Sequence, residues 1–287
     1  MRGFFLVPVR YNIKSMQIEL DYPVRSTPRW GHGRPLHPVL SRLIERHKDR
    51  YRANLRGMAA QADRLAKIPL EESEEAPLSP HWLNPWFSGL DAIALYGLLA
   101  QEHPDTYWEI GSGASTKFAR RAIQDFGLRT RIVSIDPSPR AEVDALCDEV
   151  IRQPIEEVEA DVVNRIGAHD FLFVDNSHRI LMNSDCVAVF FDVLPQLPTG
   201  AMVHFHDIFL PADYPPVWAD RYYSEQYVLA ALLLADGRNL SIEFPSYFVS
   251  EDRELARILD PIWEGPLASV QKHGGSFWLR VEEAWLP

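Results

Sequence analysis

The 287-residue chain predicts a doubly wound α/β fold on a mostly parallel sheet. Three observations carry that expectation. From about residue 88 onward, short apolar runs alternate with segments of helical periodicity. The first run ends in Glu109-Ile110-Gly111-Ser112-Gly113, a tight turn leading into a helix. Polar side chains stand directly after the later runs, where such sheets bind their ligands.

Residues 1–38 read as irregular and punctuated by proline, with Trp30-Gly31-His32-Gly33-Arg34 near their end. Val39, Leu43, Ile44, His47, Tyr51, Leu55, Met58, Ala62, Leu65 and Ala66 keep helical spacing. They predict one long amphipathic helix over 39–68. The acidic, proline-ended stretch 71–77 then closes an N-terminal extension, residues 1–80, ahead of a catalytic domain over 81–287. Ser88 is placed to cap a helix over 89–101, with Pro104 just past its end. Strands are expected at 107–110, 131–135, around 150–151, 171–174, 201–205, 240–244 and 276–281, seven in all. The fourth reads as buried on both faces. Helices are expected at 115–126, closed by Gly127, and at 155–166, 184–194 and 224–235. Right-handed crossovers wind these elements into one sheet with helices on both sides.

Apolar residues at 46% and charged ones at 24% are ordinary for a globular chain. The formal charge of −11 argues against duplex nucleic acid as a partner. A basic run, Arg42, Arg46, Lys48, Arg50, Arg52 and Arg56, is interrupted by Glu45 and Asp49 and reads as a solvated helix face. Two cysteines, Cys147 and Cys186, form no CxxC pair, so a reduced, cytoplasmic setting is the expectation. The opening Met1–Lys14 run has too short an apolar core for a signal peptide. No stretch approaches the ~20 apolar residues of a membrane span. A homo-oligomer is left open.

The strand ends carry the chemistry. Glu109 precedes the glycine turn and suits a ligand with an ammonium group, whereas pyrophosphate would be repelled. Thr116 stands where the dinucleotide fingerprint has its third glycine. Asp136-Pro137 follows the second strand, placed either to accept ribose hydroxyls or to cap a helix. Asp175-Asn176-Ser177-His178 follows the fourth strand and His206-Asp207 the fifth. Asp175, His206 and Asp207 could thus surround a divalent metal with one imidazole and two carboxylates.

In these motifs, 85–234 resembles class I S-adenosylmethionine (SAM)-dependent methyltransferases. Within them it is similar to the metal-dependent small-molecule branch that includes catechol, macrolide-sugar and cephalosporin-pathway enzymes. The resemblance implies a seven-stranded Rossmann-like sheet. It implies that Glu109, Gly111, Ser112 and Gly113, helped by Ser115 and Thr116, line the methionine end of SAM, and that Asp136 and Pro137 meet the ribose. It makes Asp175, His206 and Asp207 the metal ligands, and puts His178 and Asp175 in the reaction. Two positions depart from the family. A carboxylate is usual where His206 stands, which opens the metal to Mg, Mn, Zn or Fe. The catechol enzymes carry a lysine base where His178 stands.

The implied activity is methyl transfer to a hydroxyl oxygen of a small-molecule acceptor. The aromatic stretch 208–218, followed by Tyr222, Tyr223, Glu225 and Tyr227, could cover the acceptor or simply pack on the body. Trp30, His32 and Arg34 could also reach the cleft. A SAM-binding module without turnover, docking through the 39–68 helix, is the alternative. A nicotinamide dehydrogenase is disfavoured by Glu109 and Thr116.

Overall fold

Strands β1 (Thr106–Ile110), β2 (Arg131–Ile135), β3 (Glu149–Ile151), β4 (Phe171–Val174), β5 (Met202–Phe205), β6 (Leu240–Pro245) and β7 (Phe277–Val281) form one sheet in the order β3-β2-β1-β4-β5-β7-β6. The structure is a computed structural model, and it describes residues 21–22, 24–139, 141–235, 237 and 239–285. The Met1–Lys14 run lies outside the described residues. Neighbouring strands are parallel except β7, which runs against both β5 and β6. The chain starts mid-sheet at β1, works out to β3, and returns to β4 on the other side of β1. That reversal is the switch point where open α/β sheets bind ligands.

Register fixes what meets there. Ile110 pairs with Ile135 on one side and Val174 on the other, and Val174 pairs with Phe205. The next residues, Gly111, Asp136, Asp175 and His206, therefore leave four adjacent strands at one level. All four residues of β4 are buried, as its uninterrupted apolar run requires.

The N-terminal segment departs from the expected single helix. It forms α1 (Pro38–Glu45), α2 (Lys48–Ala59) and α3 (Ala62–Leu65). At about 1.5 Å per residue, a straight helix over 39–68 would run ~45 Å. The three pieces instead bend to follow the body: α1 touches α8 (Glu225–Leu234), α2 touches β6 and α4 (Gly89–Glu102), and α3 touches α11 (Asp260–Trp263). Leu40, Ile44, Tyr51, Leu55, Met58 and Leu65 thereby join the same hydrophobic core as the sheet. Each such buried side chain contributes on the order of 1.5–3 kcal/mol. Three of the basic residues here are ion-paired: Lys48 with Asp252, Arg50 with Glu243, and Arg52 with Glu254.

Helix α5 (Ala114–Phe126) ends as expected, at Gly127 in the left-handed conformation. Ser88 does precede α4, but its hydroxyl donates to Asp91 Oδ2 at 2.7 Å and makes no backbone cap. The helix expected at 155–166 is broken into a 3-10 turn, Ile155–Glu157, and the short α6 (Ala160–Val163). Ile155, Val163 and Ile166 are buried in the core along that stretch, with Val158 and Val162 partly buried against it. Glu156, Glu157, Glu159 and Asp161 crowd like charges between them.

The 184–194 helix is likewise cut short. Ser184 caps α7 (Asp185–Ala188), after which Val189–Val193 widens into a π-helical turn. Pro195 lacks the N–H that would continue the ladder. Beyond β6 the chain adds α9 (Ser246–Glu251), α10 (Arg253–Ala256) and α11, none of them anticipated from the sequence. Both cysteines are free. No described helix is long and apolar enough to cross a membrane.

Candidate active site

Glu109 closes β1 and is fully buried. Its Oε1 accepts from the hydroxyls of Tyr107 and Ser115, and its Oε2 from the hydroxyl of Thr116. Thr116 Oγ1 in turn accepts from the Gly113 amide at 3.0 Å. Ser115 and Thr116 thus clamp the acid and pin the turn. Burial pushes the Glu109 carboxyl from the ordinary 4.5 up to about 7, against the three hydroxyls that favour its charged form. Gly111 has φ 81°, and a Cβ there would lie 1.9 Å from the Asp175 carbonyl oxygen. Only glycine lets the end of β1 pass that close to the end of β4.

Asp136 sits one strand away. Its Oδ2 accepts from the Ser112 amide at 2.7 Å and the Ser112 hydroxyl at 3.1 Å, and its Oδ1 from the Ser138 amide at 2.8 Å. The acid ties down its own loop and the glycine turn, and an ionised carboxylate with about four acceptor sites keeps one free.

The ends of β4 and β5 bring four titratable side chains together. His178 Nε2 lies 3.3 Å from Asp175 Oδ1 and 3.4 Å from Asp207 Oδ2. His206 Nδ1 lies 3.6 Å from Asp175 Oδ1 and 3.6 Å from Asp207 Oδ1. His178 and Asp207 both hold left-handed backbone, φ 60° and 57°, at a cost of roughly 1–2 kcal/mol for a non-glycine residue. The His178 carbonyl accepts the amides of Ser224 and Glu225, which holds that turn.

Two carboxylates stand behind the imidazoles. Glu225 Oε2 bonds His178 Nδ1 at 2.9 Å, and Asn176 Nδ2 donates to Glu225 Oε1 at 3.0 Å. Asp91 Oδ2 lies 3.5 Å from His206 Nε2, a charge contact longer than a well-made hydrogen bond. Asp91 itself accepts the amides of Gly275 and Ser276. Burial alone would drive both imidazoles neutral, but the surrounding carboxylates outweigh it and raise both well above the ordinary histidine value. Burial likewise opposes charge on Asp175, yet His206 and His178 hold it well below the usual carboxylate range.

These side chains are paired with one another. Among the described residues, no group of three or more His, Cys, Asp or Glu is already arranged as an ion cage.

Asp91 and the orienting role of Glu225 escaped the sequence reading. Glu225 is the single acid of α8 and Asp91 the single buried acid of α4, and a buried acid requires a partner. The aromatic loop after β5 packs largely on itself, Phe209 against Tyr214, Trp218 and Tyr247. Tyr223 alone among these rings borders the cluster, 4.7 Å from the His178 ring. Trp30 and His32 do not reach the strand ends. The Trp30 amide and the His32 ring bond Asp213 in that loop, and Arg34 is exposed.

Residues 108–208, a little over a third of the chain, match the family described as "Methyltransferase domain". No curated protein matches the chain in sequence. Among solved structures it is similar to MycE methyltransferase from the mycinamycin biosynthetic pathway, in complex with Mg, SAH and mycinamycin VI. Identity is 16% and the TM-score 0.42, over 75% of this chain and 56% of that one. The chain thus spans a little over half the length of MycE. It is also similar to the SAH-bound methyltransferase PaMTH1 of Podospora anserina, at 14% identity and TM-score 0.42, over 79% of this chain and 88% of that one. A third likeness is to CmcI, at 20% identity and TM-score 0.39, over 77% of this chain and 84% of that one. The segment that matches the methyltransferase-domain family opens just before the Glu109 turn and closes just after Asp207.

Proposed function

We propose that the chain transfers the methyl group of SAM to a hydroxyl oxygen of a small-molecule acceptor, with help from a divalent metal. The observation that carries this reading is the four-membered cluster of Asp175, His178, His206 and Asp207, its atoms 3.3–3.6 Å apart, at the switch point of the sheet. The donor set fits a metal ion. Two carboxylates and an imidazole, Asp175, Asp207 and His206, suit a borderline or hard divalent cation. Buried His206 Nε2 has no hydrogen-bond partner, and Asp91 stands beside it as the carboxylate that metal-bound histidines usually engage. When bound, such an ion lowers the pKa of an acceptor hydroxyl and adds positive charge next to it.

The chain's own residues supply the rest. Glu225 holds Nδ1 of His178 and so orients the ring, and Nε2, once its own proton has passed to solvent, is the atom that takes the hydroxyl proton. Asn176 braces this pair, accepting the His178 amide at 3.0 Å while donating to Glu225. The Glu109 turn and Asp136 orient the cofactor so that its methyl faces the acceptor oxygen, and that positioning supplies much of the acceleration. Transfer of labelled methyl from SAM across a panel of phenols, catechols and sugars tests the reading. Loss of transfer on chelation and its return with added Mg, Mn, Zn or Fe is the expected result. Full activity in excess chelator removes the metal, and SAM binding without turnover on any hydroxyl removes the acceptor class.

A further inference from the structure

Two arginines and a tyrosine stand beside the reactive cluster and take no part in the proton transfer. Tyr223 packs its ring 4.7 Å from the His178 ring. The guanidinium of Arg179 lies 5.1 Å from the centre of that tyrosine ring, and the guanidinium of Arg221 lies 5.5 Å from it. Arg221 also stacks on Trp218 at 4.0 Å. Backbone contacts pin the arrangement. The Ile180 amide donates to Ser224 Oγ at 2.8 Å, and the Ser224 and Glu225 amides donate to the His178 carbonyl. Arg179 donates through Nε to the Arg221 carbonyl at 3.0 Å and through Nη1 to the Ser177 carbonyl at 3.1 Å.

Neutral carbonyls and ring faces hold these side chains in place and leave their charge unanswered. Among the described residues, neither guanidinium has an ion pair, and that of Arg221 makes no hydrogen bond. Two like charges gathered at one ring repel each other. In a chain of formal charge −11, such a pair without an acid calls for an anion from outside. The acids around His178, namely Asp175, Asp207 and Glu225, would repel an acidic acceptor that met no cation on its way in.

We propose that Arg179 and Arg221 bind a carboxylate of the acceptor, with the Tyr223 ring as the platform between that anion and the hydroxyl facing His178. A guanidinium fork matches a planar carboxylate through two parallel hydrogen bonds. One aromatic ring separates the imidazole from both cations, which is the span between hydroxyl and carboxylate in a phenolic acid. The acceptor class thereby narrows to aromatic hydroxy acids. The proposal rests on the hydroxyl-acceptor reading.

Calorimetry on the full chain, loaded with S-adenosylhomocysteine and Mg, tests the anion site apart from turnover. The probes are 4-hydroxybenzoate, 4-hydroxycinnamate and the methyl esters of both. Wild type is expected to bind the acids about tenfold to a hundredfold more tightly than the esters, the value of a hydrogen bond to a charged group. Arg221→Gln erases most of that preference, and Arg221→Lys, which keeps the charge and loses the fork, restores part of it. Arg221→Glu shifts the preference towards a phenol carrying an ammonium group, 4-hydroxyphenethylamine. Circular dichroism and S-adenosylhomocysteine affinity show that each variant is folded. A purely structural role would weaken acids and esters alike and leave their ratio intact, so a preference that survives Arg179→Gln and Arg221→Gln together overturns the proposal. Equal binding of acids and esters by wild type, or binding of none of the four, overturns it as well. Tight acid binding without methyl transfer from SAM would instead sink the hydroxyl-acceptor reading and leave the anion site standing.

Discussion

The ends of β1 and β2 and the ends of β4 and β5 lie side by side, yet they are built differently. At the first, Glu109 and Asp136 are satisfied by hydroxyls and amides, every one of them from the stretch between Tyr107 and Ser138. Among the described residues, no cationic side chain is hydrogen-bonded to either carboxylate. At the second, Asp175, His178, His206 and Asp207 answer one another as charges, and the carboxylates behind them come from α4 and α8. The ends of β1 and β2 are thus local and neutral in their partners, and the ends of β4 and β5 are long-range and ionic. Loss of one member from the ionic half leaves an uncompensated buried charge, which is costlier than losing one hydroxyl from a neutral network.

The sharpest break in that comparison is His178→Ala. Removing a general base costs typically about 10²–10⁴-fold in rate. Turnover of labelled SAM should fall by that much while S-adenosylhomocysteine affinity, set by the other half, changes little. If both fall together, the two halves are not separate. Glu225→Gln sharpens the same point with a smaller effect. The amide still fills the space but no longer presents a carboxylate to His178 Nδ1. Loss of such an orienting carboxylate is worth about 10–100-fold, read as kcat with circular dichroism to confirm the fold.

Gly111→Ala strikes where the halves touch. The added methyl meets the Asp175 carbonyl at 1.9 Å, on a backbone at φ 81°. Residues forced into such backbone cost about 1–3 kcal/mol even without the clash. Thermal unfolding should show Tm lowered by several degrees, together with weaker cofactor binding and slower transfer. An unaltered Tm would mean the close approach of β1 to β4 is not as drawn.

The same contrast explains what the sequence made legible. β4 was readable because a buried parallel strand can be an apolar run with nothing polar inside it, and β1 and β2 because each short run ends in local chemistry, the glycine turn and Asp136-Pro137. The convergence of Gly111, Asp136, Asp175 and His206 followed from topology alone. The helix breaks at Arg46–His47 and Ala60–Gln61 were not readable, because the surfaces of α8, α4 and α11 decide them and periodicity does not. Nor could local pattern reveal that Asp91 backs His206 or that Glu225 backs His178. An acid inside an apolar helix announces that it has a partner and says nothing of which one. The pairing of the imidazoles with the carboxylates, which closes the cluster, depends on protonation in the fold and lies beyond residue identity.

A further test concerns Glu109, where a neutral network leaves its own signature. With its carboxyl raised from 4.5 to about 7, the folded protein holds a proton that the unfolded chain releases across that interval. A raised acid contributes stability that is fully present below the ordinary value and is lost as pH rises through the folded one. Denaturant unfolding between pH 4.5 and 7 should therefore show a component that declines with pH, by at most about 1.4 kcal/mol per pH unit. Glu109→Gln keeps the hydrogen-bonding shape and cannot titrate, so the difference between wild type and variant isolates that component from the other ionisable groups. A difference that stays flat over this interval would mean that Glu109 is already ionised in the fold, with its three hydroxyl donors outweighing burial. The neutral half of the site would then be an ionic one whose counter-charge is the ligand itself.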